Sequence, residues 1–288
     1  MKEMGTVAAL GTFDGVHMGH RTLIEKALHK AEENGFKTII YTFSNHPMTV
    51  MSSSPKLLMT SSERICCLKS FGCSVVADEF DTELANTSAR DFALMLKERF
   101  NMKIAVAGYN YSFGKGGRGD VEMLKQLGEE LGFETVIAQK VTYGSEGVSS
   151  SRIRKCIENG DIRLANAMTV SPFSLSGEVI ANKHIGSTIG FPTANIGVCE
   201  EKVLPKAGVY AVTAHIRDKV FNGVTNIGTN PTVNGTKTTL ETHIIGFDGD
   251  IYGEELKIEF IDRIRDDKKF ASIDELKAQI AKDILFFA

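Results

Sequence analysis

Ten residues near the start of the chain, Gly11-Thr12-Phe13-Asp14-Gly15-Val16-His17-Met18-Gly19-His20, combine three glycines with two histidines three positions apart. Glycine lets backbone amides approach a phosphate closely, and a helix N-terminus adds positive potential there. Histidines three apart would straddle a helix start and point the same way, placed to donate hydrogen bonds to a phosphoryl oxygen as charge accumulates on it. A tight turn whose histidines merely cap a helix would account for one histidine. The whole string points to phosphate chemistry.

The flanking segments supply the scaffold such a turn needs. Val7 to Leu10 is a short apolar run, and His20 to Asn34 puts Leu23, Ile24, Ala27, Leu28 and Ala31 on one helical face, closed by Gly35. Strands are expected at Thr38 to Phe43, Val75 to Ala77, Ile104 to Ala107 and Thr135 to Val141. Helices are expected at Ser61 to Phe71, at Ser88 to Phe100 behind a Ser-x-x-Asp cap, and at Asp120 to Leu131. Strand and helix in alternation predict a doubly wound parallel sheet whose ligands bind where strands end and helices begin.

After Pro172 the pattern changes. Short alternating apolar runs at Leu175 to Ile180, Val209 to Ile216, Val220 to Ile227, Thr239 to Phe247 and Leu256 to Phe260 predict an antiparallel barrel or sandwich. A final helix is signalled by a Ser272/Glu275 capping box and a Leu276, Ile280, Ile284, Leu285 stripe. The domains are therefore placed at 1–170, α/β, and 171–288, β with a terminal helix.

Composition narrows the class. The chain has 288 residues, enough for two cores, and 36 acidic against 33 basic residues leave a net charge of −3, which argues against a general nucleic-acid or anionic-membrane binder. No apolar run reaches a membrane span's length and the N-terminus lacks a signal-peptide core, so a cytoplasmic protein is expected. Five cysteines without Cys-x-x-Cys spacing argue against structural zinc and a disulfide scaffold.

Gly11, Phe13, Asp14, Gly15, His17, Gly19 and His20 resemble the H-x-G-H nucleotidyltransferase superfamily, and Val148-Ser149-Ser150-Ser151-Arg152-Ile153-Arg154 resembles its second motif. Hydroxyls, helix amides and a guanidinium there would clamp the β and γ phosphates of a nucleotide; a solvated basic helix face is the plainer reading of Arg152, Arg154 and Lys155. Thr42-Phe43-Ser44-Asn45-His46-Pro47 and Gly108-Tyr109-Asn110-Tyr111-Ser112-Phe113-Gly114 resemble the loops that hold FMN and adenine in prokaryotic FAD synthases. The second half, through Gly190-Phe191-Pro192-Thr193-Ala194-Asn195, Asn226 to Thr232 and Glu241-Thr242-His243, resembles riboflavin kinase.

The whole chain is thus similar to the bifunctional riboflavin kinase/FMN adenylyltransferase (FAD synthetase) family. That resemblance implies a barrel kinase half and a first half that transfers AMP from ATP to FMN, with His17, His20, Asn110 and Arg154 in the chemistry. Gly11, Phe13, Asp14, Gly15, Gly19, His46, Pro47, Ser150, Ser151 and Arg152 would bind its substrates. In the kinase half it implies Glu241 as base, Gly190, Pro192, Thr193, Asn195 and Asn226 as binding residues, and Mg²⁺ on Thr193 and Asn195. ATP, riboflavin, FMN and FAD are the implied small molecules, with homo-oligomerisation left open. Ala181, Ser187, Val233 and Gly246 depart from the usual kinase residues. They motivate the alternative of an adenylyltransferase whose kinase half only binds flavin or nucleotide. A non-catalytic flavin sensor and a cytidylyltransferase acting on a phospho-alcohol are the further readings; the retained His17, His20 and Arg154 speak against the first and the Gly190–Asn195 element against the second.

Overall fold

The structure, a computed structural model, describes residues 4–47, 55–180, 190–232 and 235–288. The chain divides into two compact units, Met1–Ser150 and Ser151–Ala288.

In the first unit, β1 (Thr6–Leu10), β2 (Lys37–Phe43), β3 (Ser74–Asp78), β4 (Met102–Gly108) and β5 (Glu134–Ala138) form a parallel sheet in the order β3-β2-β1-β4-β5. The connecting helices are α1 (Met18–Asn34), α2 (Ser61–Lys69), α3 (Thr82–Asn86), α4 (Ala89–Phe100) and α5 (Val121–Leu131). Ala8, Leu10, Ile39, Tyr41, Ala105 and Ala107 share a core with Phe92 and Leu96 of α4 and Leu124 and Leu127 of α5. The alternate positions Val7, Ala9, Ile40 and Val106 are fully buried too, so both faces are dry, as parallel sheets require. Strand order reverses between β1 and β4, and the Gly11–His20 turn leaves β1 at that switch point.

Two local features differ from the sequence pattern. The alternation is interrupted by α3, whose five residues follow the Asp81 cap. The strand expected to reach Val141 stops at Ala138, and a small hairpin of β6 (Thr142–Tyr143) and β7 (Glu146–Gly147) follows. Apolar content carried that expectation past the point where β4 ends and offers no further partner.

The second unit opens with α6 (Ser150–Asn159) and α7 (Ile162–Asn166). Asn166 bridges two strands of the barrel, donating to the Phe260 carbonyl (2.7 Å) and accepting from the Phe173 amide (2.8 Å). The closed antiparallel barrel runs β10-β11-β12-β9-β8-β13, from β8 (Ser174–Ile180), β9 (Thr193–Ile196), β10 (Gly208–Ile216), β11 (Lys219–Thr232), β12 (Gly235–Ile244) and β13 (Glu255–Arg265). Leu175, Val212, Leu240, Ile258 and Phe260 supply its packed interior. β9 was not expected, because four residues are too short a stretch for the alternation of Ala194 and Ile196 with Thr193 and Asn195 to stand out; its pairing with β12 and β8 makes it a strand. Closure removes the exposed edges that an open sheet would leave.

Helix α8 (Ile273–Ile284) ends the chain. Ser272 accepts from the Glu275 amide, but Glu275 reaches the Ala271 amide instead of the cap residue, so the expected box is only half reciprocal. Leu276, Ile280 and Ile284 are half-buried, whereas Leu285 falls in a terminal 3-10 turn and is exposed. The deepest residue of this helix is Asp283, 2% exposed, which receives Arg265 Nε and Nη2 at 2.8–3.1 Å and Gln279 Nε2 at 2.8 Å. Breaking a buried pair strands the remaining charge, at about 3 kcal/mol or somewhat less here because Arg265 keeps partial solvent access. Asp283→Ala is therefore expected to lower the urea-unfolding stability of the second unit by about 2 kcal/mol while the unfolding of the first stays unchanged.

Candidate functional site

The turn after β1 is built on unusual backbone. Gly15 has φ +76°, and Phe13 and Val16 have φ +54° and +30°, values that cost a β-branched or aromatic residue of order 1–2 kcal/mol each. The surroundings hold it there. Phe13 and Val16 are fully buried, the Val16 amide donates to the Phe13 carbonyl, and Thr42 Oγ1 donates to the Thr12 carbonyl. A Cβ on Gly15 would stand 2.5 Å from Leu58 Cδ1, so a larger residue is excluded by space as well as by φ. Asp14, 2% exposed, accepts from the Leu58 and Met59 amides through Oδ1, pinning the chain before α2 onto the turn.

His17 is the N-cap of α1. Its Nδ1 accepts from the His20 amide (3.2 Å), and His20 Nδ1 accepts from the His17 amide (3.3 Å). Reciprocal capping usually employs a hydroxyl and a carboxylate; here two imidazoles do it, and the helix starts at Met18, ahead of the position its apolar face suggested. The rings stack with centroids 3.6 Å apart and planes 12° apart, and Phe13 meets His20 edge-on at 5.2 Å. Each Nδ1 accepts a hydrogen bond, so each neutral ring carries its own proton on Nε2 and has that N–H to offer. Burial pushes His17 down to about 4, and burial, His17 and Arg64 together hold His20 well below the usual histidine range. Both imidazoles are therefore neutral donors at pH 7. Gly19 fits because a Cβ would lie 3.2 Å from the His17 ring.

The loops after β2 and β4 end on the same side as this turn, since the strands are parallel. Ser44 to Pro47 follows β2; Asn45 is held by two hydrogen bonds with the Phe80 backbone, and His46 and Pro47 are half-exposed. Asn110 follows β4 and is exposed, beside the exposed Tyr109. Tyr111 and Phe113 stack on each other and pack with the core, so they are packing residues; Tyr109 is the aromatic of this loop that faces solvent. Ser150 Oγ donates to the Asp14 carbonyl at 2.9 Å, which brings the start of the second motif to the first. Ser151, Arg152 and Arg154 continue along α6 in the second unit. Gly11 closes β1, its amide donating to Tyr41 and a Cβ there meeting the Phe13 ring at 3.1 Å.

A second cluster lies on the barrel. Asn226 of β11, Glu241 of β12 and Asn195 of β9 are directly opposite one another across three adjacent strands. Thr193 pairs with His243 one step along. Side chains two apart share a face, so all five residues project from one side of these strands. The other side carries Thr225 and Thr242, fully buried and hydrogen-bonded to each other at 2.8 Å. Burial raises the Glu241 carboxyl above the ordinary range. Asn226 Oδ1 is buried and has no hydrogen-bond partner among the described residues. His243 Nδ1 donates to the Pro192 carbonyl (2.9 Å) and its ring receives Phe191 at 5.4 Å, fastening the segment before β9 to β12. Gly190 is exposed at φ +85°. Gly246 has φ +73° with open space around a Cβ, a conformation that suits glycine. Ala181, Ser187 and Val233 lie outside the described residues.

Sequence reasoning passed over Arg64, which is buried beside the first site, and the Leu58 and Met59 amides. The signal for Arg64 was its position four residues before Leu68, on the buried stripe of α2.

The family model of FAD synthetase matches residues 1–152, and that of riboflavin kinase matches residues 169–287. The bifunctional riboflavin kinase/FMN adenylyltransferase of Bacillus subtilis is 38% identical over 96% of this chain and 90% of its own length. The chain belongs to the bifunctional riboflavin kinase/FMN adenylyltransferase family. Its Escherichia coli member is 34% identical over 98% of this chain and 91% of its own. A crystal structure described as a macrolide-efflux protein from Streptococcus pneumoniae superposes with a TM-score of 0.91 at 30% identity, covering 99% of this chain and 94% of that one. Among the described residues no helix is long and apolar enough to cross a membrane.

The buried histidine pair sets a pH dependence of stability. Between about pH 4 and 6.5 the unfolded chain takes up a proton at His17 that the folded chain refuses, so stability falls as pH drops through that window and is level above it. The full effect for His17 is of order 3 kcal/mol. Urea unfolding of the first unit from pH 7.5 to 4.5 should show this slope, and His17→Asn, which keeps a capping oxygen without an ionisable ring, should remove the share due to His17 and leave that due to His20.

Proposed function

We propose that this chain is a cytoplasmic enzyme that phosphorylates riboflavin to FMN in its barrel and adenylylates FMN to FAD in its first unit. The match of both halves to their family models carries this reading, and the second match favours it over a kinase half retained only for binding. The functional boundary of this reading is 170/171, after α7, and the start of the second match at residue 169 supports it.

In adenylyl transfer an FMN phosphate oxygen attacks the α-phosphorus of ATP in line, the α–β anhydride bond breaks, and pyrophosphate leaves. The Nε2–H groups of neutral His17 and His20 donate to oxygens on which charge builds, a role that needs no proton transfer and no covalent enzyme intermediate. Backbone amides of the Gly11, Gly15 and Gly19 turn and the Ser151 hydroxyl take the remaining phosphates, with Phe13 and Asp14 holding the turn and Ser150, whose hydroxyl donates to the Asp14 carbonyl, offering its place at the start of α6. Arg152 and Arg154, two and four residues beyond Ser150, supply permanent cations. His46, Pro47 and Asn110 receive the flavin and the adenine.

In the kinase half, Glu241 takes the proton from the ribityl 5′-hydroxyl as that oxygen attacks the γ-phosphorus and ADP leaves. The raised carboxyl affinity suits a base. Gly190 and Pro192 shape the entrance to the strand, and Thr193, Asn195 and Asn226 offer oxygen donors. The hydroxyl of Thr193 and the amide oxygen of Asn195 are the oxygen donors that a hard divalent cation such as Mg²⁺ takes, and Asn226, two strands from Asn195 on the same face, adds a buried oxygen without a partner among the described residues. When bound, that ion neutralises phosphate charge. The partners are small molecules; the net charge of −3 supports no role for nucleic acid or membrane.

Chromatography of products after incubation with Mg²⁺, ATP and either riboflavin or FMN tests the reading. FMN and FAD from riboflavin are expected, and failure to form FMN from riboflavin would refute the kinase assignment. Glu241→Gln should lower FMN formation by roughly 100-fold or more and leave adenylylation of supplied FMN intact. His20→Ala should do the reverse, with a loss of about 100-fold in FAD formation.

A further inference from the structure

Helix α2 buries two residues, and one of them is an arginine: Arg64 is 1% exposed beside Leu68. Its Nη2 donates to the carbonyl of Phe43, the last residue of β2, and its Nε–H has no hydrogen-bond partner among the described residues. The guanidinium is close enough to His20 and Asp14 to act on both electrostatically. Burying a permanent cation with an orphaned donor is costly, and an apolar side chain of similar volume would fill the same space without that cost. Apolar packing would not supply a fixed positive charge at the end of β2, close enough to act on His20.

We infer that Arg64 is a positioning residue for adenylyl transfer: it holds the end of β2 against the histidine turn and sets a permanent positive charge beside the two imidazoles. The inference rests on the adenylyl-transfer reading of this site and adds to it a residue on a different helix. Neutral histidines donate hydrogen bonds but carry no net charge, so charge developing on the phosphorus oxygens needs a further source of positive potential that is already oriented. A guanidinium stays charged at any working pH, and in a buried setting its field is weakly screened. The Phe43 carbonyl bond ties that charge to the loop of His46 and Pro47, so the same residue sets the distance between two parts of the site. Asp14 fixes the chain before α2 to the turn and thereby fixes Arg64 as well.

The test is a pair of variants in the full chain, Arg64→Lys, which keeps the charge, and Arg64→Gln, which keeps a donor without it. Riboflavin phosphorylation by the same chains serves as the internal control. For Arg64→Gln, kcat for FAD formation from FMN should fall about 100-fold with KM values within about threefold, while Arg64→Lys stays within about tenfold of the parent. The charged or titratable groups that act on His20 are His17 across the stack and Arg64 from α2, and Asp14 from the turn acts on Arg64. Removing the cation should therefore move the acid limb of FAD formation to higher pH, a readout that a purely structural role would leave in place. Full activity in both variants, or equal loss in both with an unmoved acid limb, would overturn the inference. If Arg64→Gln abolishes cooperative unfolding of the first unit, Arg64→Lys decides: retained transfer supports the role of charge, and complete loss in a folded chain refutes it. Absence of FAD from the parent chain given FMN would instead overturn the reading of the site itself.

Discussion

Two backbone amides at the start of α1 have no partners within the helix, and two imidazole nitrogens satisfy them. Much of the first unit follows from that exchange. It commits both Nδ1 atoms as acceptors, which sets both tautomers; it stacks the rings, which makes a doubly protonated pair untenable; and it buries them, which keeps them neutral. A helix cap is thereby also the device that presents two N–H donors at the positive end of a helix dipole. The strained φ angles of Phe13 and Val16 bring the cap into position, and the Asp14 bonds to Leu58 and Met59 sustain them.

The barrel solves its positioning problem differently. There none of Thr193, Asn195, Asn226, Glu241 and His243 has a positive φ; register does the work. Three adjacent antiparallel strands place Asn195, Glu241 and Asn226 side by side, and period-two alternation puts Thr193 and His243 on the same face while Thr225 and Thr242 pair on the other. A slip of one residue in β12 would exchange Glu241 for Thr242 and bury a carboxylate in place of a hydroxyl, so burial of the Thr pair protects the register of the site.

Much of this was legible in the residues. The first helical face was read correctly at Leu23, Ile24, Ala27 and Ala31, which are buried, because a 3.6-residue period survives any tertiary context. The caps at Ser88 and Ser272 were legible because each is closed by an amide only three residues away, whereas Asp120, read as the first helical residue, is the cap of α5. The turn at Gly11–His20 stood out because its glycines and histidines are concentrated in one short string. β9 did not, since Thr193-Ala194-Asn195-Ile196 is a strand only through its partners β8 and β12. The places of Tyr111 and Phe113 were not legible either: the two rings stack on each other and pack with the core, because an aromatic's role depends on which side of its strand end it turns to.

What the sequence by itself determined is therefore what local contacts enforce: helix faces, caps, the glycine turn between the first strand and the first helix, and the change from a helical to a strand period after Pro172. Tertiary structure decided what depends on residues distant in the chain. It set the low proton affinity of His17 and His20, the raised affinity of Glu241 and the burial of Arg64 against the end of β2. It also assigned α6 and α7 to the unit of the barrel. Desolvation and through-space charge cause the first group and packing against β13 and the Phe173 amide the second, and neither is encoded in spacing along the chain.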